Sequence, residues 1–249
     1  MSARGGIRPF LLLSIRSEPA AADDEHATFL RFSGLDQADL PRLDLHADEL
    51  PELDPDDWSG IVLGGGPWNA SDPEEAKSPA QRRAEAWLSR LLDEVVDRDL
   101  PFLGACYGIG TLGRHQGGVV GREHPEAVGP LSVTLTQEGL ADPVLAGLPR
   151  SFAAYGGHKE SLEVLPAGAV RLATSTVCPV QAFRVGLNVY AFQFHPELDL
   201  SGVCTRIEVY QDAGYFPPEE AGTLKELSRS VVVQHPPLIL RNFVDLHAR

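Results

Sequence analysis

Two short segments far apart in the chain hold the residue types that a covalent hydrolytic site needs. One is Leu103-Gly104-Ala105-Cys106-Tyr107-Gly108, and the other is Phe192-Gln193-Phe194-His195-Pro196-Glu197. They supply a thiol on a glycine-flanked turn, an imidazole, and a carboxylate two residues beyond it. A thiol attacks carbonyl carbon as the thiolate, so a nucleophilic Cys106 needs its proton drawn off. A helix N-terminus does part of this through unpaired N–H groups and the helix dipole. A neighbouring imidazole does the rest and then carries the proton. Gly104 and Gly108 stand two residues either side of Cys106 and allow a sharp strand-to-helix turn that pushes the side chain into the open. The N–H of Tyr107, just after the nucleophile, is then placed to hold an oxyanion.

A second oxyanion donor has to come from another strand end. Gly64-Gly65-Gly66-Pro67 is the supplier, with Gly66 the first choice. Glycine lets the backbone, Gly65 included, approach a substrate closely, and Pro67 fixes the turn. His195 takes the proton, and the spacing lets Glu197 reach its far ring nitrogen as in a triad. Each signal alone has another explanation. Gly-x-Cys-x-Gly also fits a structural Cys in a tight turn. A glycine triplet after a strand also fits a phosphate cradle, although no Lys-Ser/Thr follows it here as in a P-loop. The three together, in this order, point to chemistry.

The elements that must position these residues are legible from hydrophobic patterning. Pro9 to Ile15 is a short apolar strand, Ala20 to Phe32 a helix with Asp23, Asp24 and Glu25 near its start, and Leu43 to Leu45 a short strand. Gly60 to Leu63 is a buried strand ending at the glycine turn. Pro79 to Arg98 is a long helix with Ala84, Trp87, Leu88, Leu91, Leu92 and Val95 at helical spacing. Pro101 to Ala105 is the next strand and Tyr107 to His115 the next helix. Strand-helix alternation of this kind predicts an α/β, flavodoxin-like fold, with a mostly parallel central sheet and helices on both faces. Active sites in such sheets lie at the carboxyl ends of the strands, where Cys106 and the glycine turn both fall. After Gly117 the texture changes. Val119-Val120, Leu131 to Thr136, Glu163 to Leu165, Arg171 to Ala173, Gln181 to Val185 and Val189 to Phe194 read as strands of a smaller mixed or antiparallel part. Residues 201–249 read as a helical tail broken by Pro217-Pro218 and Pro236-Pro237. One domain over 1–249 is the expectation.

Composition excludes several classes. A formal net charge of -14 over 249 residues repels nucleic acid and anionic membrane surfaces. Three cysteines, Cys106, Cys178 and Cys204, with no close pair argue against a disulfide framework or a Cys-rich zinc site and fit a reducing cytoplasm. His115, His124, His235 and His247 have no ligand spacing, so no metal and no other cofactor is expected. Arg4 and Arg8 precede an apolar run, but Ser14 and Arg16 cut it short of a secretory core. No run reaches the roughly 18 apolar residues of a membrane span.

The motifs resemble those of class I glutamine amidotransferase domains of the triad type, in particular the stand-alone members similar to the amidotransferase part of GMP synthase. The carriers are Ile61 to Pro67, Pro101 to Gly108 and Gln193 to Glu197, joined by His158, Leu165-Pro166, Leu172-Ala173 and Gln181 to Phe183. The match runs from about 58 to 200, and the tail beyond it diverges except for a closing helix at Leu238 to Leu246. The resemblance implies a Cys106 nucleophile, a His195 base, a Glu197 orienter and an oxyanion hole from Gly66 and Tyr107. It implies attack on the side-chain amide of glutamine, a glutamyl thioester, and release of ammonia to a synthetase chain if one exists. Two positions depart from the family. Gly110 stands where the family carries a Gln that helps hold substrate, and His158-Lys159-Glu160 stands where His-Gly-Asp is common. A missing amide at Gly110 removes hydrogen bonds worth on the order of 1 kcal/mol each. Either glutamine binds weakly, or a widened pocket admits another γ-glutamyl or amide compound. His158 is a candidate for the pocket rim, with a structural role as the alternative. A non-catalytic relative is the third possibility, and the intact Cys-His-Glu set argues against it.

Overall fold

The structure, a computed structural model, describes residues 8–249; Arg4 lies outside them. In chain order the elements are β1 (Phe10–Ser14), α1 (Pro19–Ser33), β2 (Arg42–Asp44), β3 (Gly60–Leu63), α2 (Pro79–Asp97), β4 (Phe102–Ala105), α3 (Tyr107–His115), β5 (Val119–Gly121), β6 (Glu126–Leu135) and α4 (Gln137–Ala141). They continue with β7 (Ser151–His158), β8 (Ser161–Val164), β9 (Val170–Thr174), β10 (Ala182–Val185), β11 (Val189–Phe192), α5 (Leu200–Val209), α6 (Ala221–Ser230) and α7 (Pro237–His247).

One nine-stranded sheet runs in the order β2-β1-β3-β4-β11-β10-β9-β6-β7, and β5 pairs with β8 in a small second sheet. The first five strands are parallel. Beyond β11 each of the last four strands pairs antiparallel with its neighbour, so the second half of the chain extends the same sheet. The register between β4 and β11 sets Ala105 beside Phe192, which brings both sequence motifs to the carboxyl ends of two adjacent central strands.

Both faces of the sheet are covered, and the strands alternate accordingly. Phe10 and Leu12 enter a core with Phe29 of α1 and Ile239, Leu240 and Phe243 of α7. Leu11 and Leu13 enter the opposite core with Trp87, Leu88, Leu91 and Leu92 of α2 and with Leu112 of α3. A strand sends successive side chains to opposite faces, so an unbroken apolar run is what a doubly covered strand requires. Helix α2 starts where Ser78 Oγ accepts from the N–H of Gln81 at 3.1 Å, with Pro79 at its first position.

The structure departs from the sequence expectations in three places. Hydrophobic patterning does not announce β7: Ala153, Ala154, Gly156 and Gly157 carry weak strand propensity, and the ladder to β6 imposes the conformation. Strand β6 is longer than the apolar run for the same reason. Helix α1 begins at Pro19, which puts Asp23, Asp24 and Glu25 beyond its first turn. Glu25 points inward instead and is fully buried.

Candidate active site

Cys106 caps the N-terminus of α3 with φ 52° and ψ -91°, a left-handed conformation that a non-glycine residue holds only under constraint. Its N–H donates to Phe192 O at 2.7 Å, which ties the turn to β11. The flanking glycines are a steric necessity. A Cβ on Gly104 would lie 2.9 Å from Gly108 Cα. The glycine turn after β3 is equally tight: a Cβ on Gly65 would lie 2.5 Å from His195 Cε1 and 3.0 Å from Cys106 Cβ. Gly66 packs against Ile15, and its carbonyl accepts from Tyr215 Oη at 3.3 Å.

His195 follows β11 and is held by its N–H to Tyr155 O at 2.9 Å. Its ring lies between two partners. Nδ1 donates to Glu197 Oε1 at 2.7 Å, and Cys106 borders the same cavity as the ring. Burial opposes the imidazolium, but the charge of Glu197 and then that of Cys106 outweigh it, so His195 holds its proton above the ordinary histidine range. Burial likewise opposes the Glu197 carboxylate, and the paired imidazole and Arg206 hold it below the usual carboxylate range.

Arg206 carries no signal in the sequence. Its Nη1 donates to Glu197 Oε1 at 3.2 Å, and its Nη2 lies 3.8 Å from Glu25 Oε1. Glu25 also accepts from Arg16 Nε at 2.9 Å, and Arg16 Nη1 donates to Tyr210 Oη at 3.0 Å. All four charged residues are buried. A line of alternating charges therefore runs from Arg16 through Glu25 and Arg206 to Glu197 and His195. Nothing local could have announced it, because the members come from the β1–α1 turn, α1, α5 and the β11 end.

Two cavities meet at Cys106. The smaller one is bordered by Gly66, Trp68, Asn69, Tyr107, His158, Lys159, Glu160, Gln193 and Tyr215. Gln193 Oε1 is buried there without a hydrogen-bond partner among the described residues. The other, the larger of the two, is bordered by Arg16, Gly66, His195, Arg206, Tyr215 and Phe216, among others.

The remaining predicted positions fall as follows. Gly110 does not border either cavity. The space its missing side chain leaves is taken by Glu160, whose Oε1 lies 2.6 Å from where a Cβ would stand. Glu160 is fixed there by the N–H groups of Ala70 and Ser71, at 2.9 and 2.7 Å. The pocket widening anticipated at Gly110 is thus absent, because the longer acid in His158-Lys159-Glu160 fills it. His158 borders the smaller cavity with both ring nitrogens engaged, Nδ1 to Glu160 O at 2.8 Å and Nε2 to Glu126 Oε2 at 2.9 Å. Lys159 donates to Ala213 O at 2.9 Å and lies 4.2 Å from the Tyr215 ring centre, tying the segment after α5 across the site. Glu126, His158 and Cys178 bring potential ligand atoms within 4.8 Å of one another. Their protein partners already engage them: Cys178 donates to Val180 O, and burial pushes its thiol up to about 12.

The family model for glutamine amidotransferase class-I matches residues 37–206, more than half of the chain. The chain belongs to the class-I glutamine amidotransferases. A subunit of the glutamine-hydrolyzing GMP synthase of Thermoplasma volcanium is 33% identical over 172 residues, 68% of this chain and 75% of that one. The corresponding subunit from Thermococcus kodakarensis is 28% identical over 170 residues, covering 68% and 80%. Against the GMP synthase of Dehalococcoides mccartyi, at 31% identity, the alignment covers 56% of this amidotransferase but 23% of the relative's length. A solved glutamine amidotransferase from Thermotoga maritima superposes with a TM-score of 0.76 over 96% of this chain and 98% of that one at 23% identity, a likeness of fold. Among the described residues, no helix of this amidotransferase is long and apolar enough to cross a membrane.

Proposed function

We propose that this chain hydrolyses the side-chain amide of glutamine through a Cys106-His195-Glu197 triad. The observation that carries the reading is the pairing of β4 with β11. It sets the thiol of a strained N-cap residue beside an imidazole that is itself hydrogen-bonded to a buried carboxylate. The Cys106 thiolate attacks the amide carbon. The oxyanion is held by the N–H groups of Gly66 and Tyr107. His195 gives its proton to the departing nitrogen, ammonia leaves, and water then cleaves the glutamyl thioester with His195 as base. Gly65 gives the backbone clearance for this, and His158 braces the pocket wall through Glu160. The smaller cavity, with the unpartnered Gln193 Oε1, takes the glutamyl part.

The relatives that are single subunits of GMP synthase support a two-chain arrangement, in which ammonia passes to a separate synthetase chain. The continuous nine-stranded sheet supports one domain, and three free cysteines support a reducing cytoplasm. The test is glutamate release from glutamine by the purified chain beside Cys106→Ala. Release by the parent and none by the variant is expected; equal rates overturn the triad.

A further inference from the structure

The buried guanidinium of Arg206 is directed at the triad and not at the scaffold around it. Nη1 donates to Glu197 Oε1 at 3.2 Å and lies 3.5 Å from His195 Nδ1. Nε and Nη2 are buried with no hydrogen-bond partner among the described residues. The second carboxylate near it, Glu25 Oε1, stays 3.8 Å from Nη2. A guanidinium carries five N–H donors, and burying them unmatched costs stability. Hydrogen bonding to the fold therefore does not account for a cation at this place.

The oxygen it engages is the one the imidazole uses. Glu197 Oε1 accepts from His195 Nδ1 at 2.7 Å as well as from Arg206. A cation on that oxygen draws on the carboxylate's charge, and a cation close to the ring disfavours its protonation. Both effects make His195 release its proton more readily than it would facing Glu197 alone. Burial opposes the imidazolium, yet the charges of Glu197 and Cys106 still carry its pKa up to about 9. A general acid works best with a pKa near the operating pH, so a check on that rise assists proton delivery. Glu25 of α1 stands behind Arg206 and acts in the opposite sense, itself engaged by Arg16 at 2.9 Å. Asp24 of α1 and Asp199, just before α5, add negative charge to the same cluster, and burial pushes the Asp24 carboxyl up. Burial also pushes the hydroxyls of Tyr210 and Tyr215 up, so they stay neutral.

We propose that Arg206 is a positioning residue of the reaction: by sharing Glu197 Oε1 with His195, it limits how tightly the imidazole keeps the proton meant for the leaving nitrogen, and Glu25 limits Arg206 in turn. This rests on the triad reading above.

The test is the pH profile of kcat for glutamate release from glutamine, with the full chain, Arg206→Met, Arg206→Lys and Glu25→Gln, and with Cys106→Ala as the blank. Arg206→Met is expected to move the alkaline limb up by about one pH unit or more, with a lower kcat below it. Arg206→Lys keeps the charge and holds the limb within about half a pH unit of the parent's. Glu25→Gln moves it down, because Arg206 then acts unopposed. A role in packing alone would lower kcat or stability without shifting the limb in opposite directions. An unmoved or lowered limb in Arg206→Met overturns the proposal. So does an unmoved or raised limb in Glu25→Gln, or a limb in Arg206→Lys about one unit above the parent's. Where Arg206→Met does not fold, the other two variants decide. No Cys106-dependent release by the parent at any pH overturns the triad reading itself. Release whose alkaline limb ignores Arg206 and Glu25 overturns this proposal and leaves the triad standing.

Discussion

At the residue scale, the site is a problem of holding three side chains within hydrogen-bond reach while their charges are stripped of water. Glu197 does two things to His195: it fixes the tautomer through Nδ1–H, and it raises the proton affinity of the ring. In the proposed reaction His195 protonates the leaving nitrogen and must carry its proton, so activity falls as pH rises through its pKa. The shift is upward, so this alkaline limb lies above the ordinary histidine value. Glu197→Gln removes the charge, brings the limb back toward neutrality and lowers kcat on the order of 10⁴-fold; a pH profile of kcat for parent and variant checks this. Gly65→Ala probes geometry alone. Its methyl group would meet His195 Cε1 at 2.5 Å, so the imidazole must move. Displacement of about 1 Å costs about 10²-fold in rate, and steady-state kinetics alongside an unchanged far-UV spectrum measures it. The residues at this scale are largely legible in the sequence, because positive φ and close backbone approach call for glycine in recognisable places. Glu160 is not: its role depends on the empty space at Gly110, which no one-dimensional spacing reveals.

At the element scale, the parallel half of the sheet follows from its apolar strands and the amphipathic α2, whereas β7 follows from its partner. Helix α5 also reaches the proposed triad. Its Arg206 is the buried cation between Glu197 and Glu25, and its side chain is 7% exposed. Removing one member of a buried ion pair leaves the others uncompensated. Arg206→Met therefore destabilises the protein by about 3 kcal/mol, and Arg206→Lys recovers part of that. Urea unfolding of the three proteins gives the comparison. Stability of Arg206→Met equal to the parent would show that α5 docks through its apolar residues alone.

At the scale of the whole molecule, the family match ends at 206, but the core does not. Ile239, Leu240, Phe243 and Val244 of α7 are buried against β1 and α1. Burial of side chains of this kind contributes about 1.5–3 kcal/mol each, so together they rival the net stability of an ordinary domain, about 5–15 kcal/mol. A chain ending at residue 235 is expected to lose cooperative thermal unfolding, and a calorimetric transition like the parent's would contradict this. By itself the sequence determined the strand-helix alternation, the nucleophile turn and the partner motif, because each is written in local hydrophobic period and in backbone positions that only glycine tolerates. Tertiary structure alone decided that β11 lies beside β4, that Arg16, Glu25 and Arg206 line up behind Glu197, and that Glu160 takes up the space beside Gly110. Charge pairing and cavity shape are properties of segments brought together from across the chain, and they exist only once the sheet has set their order.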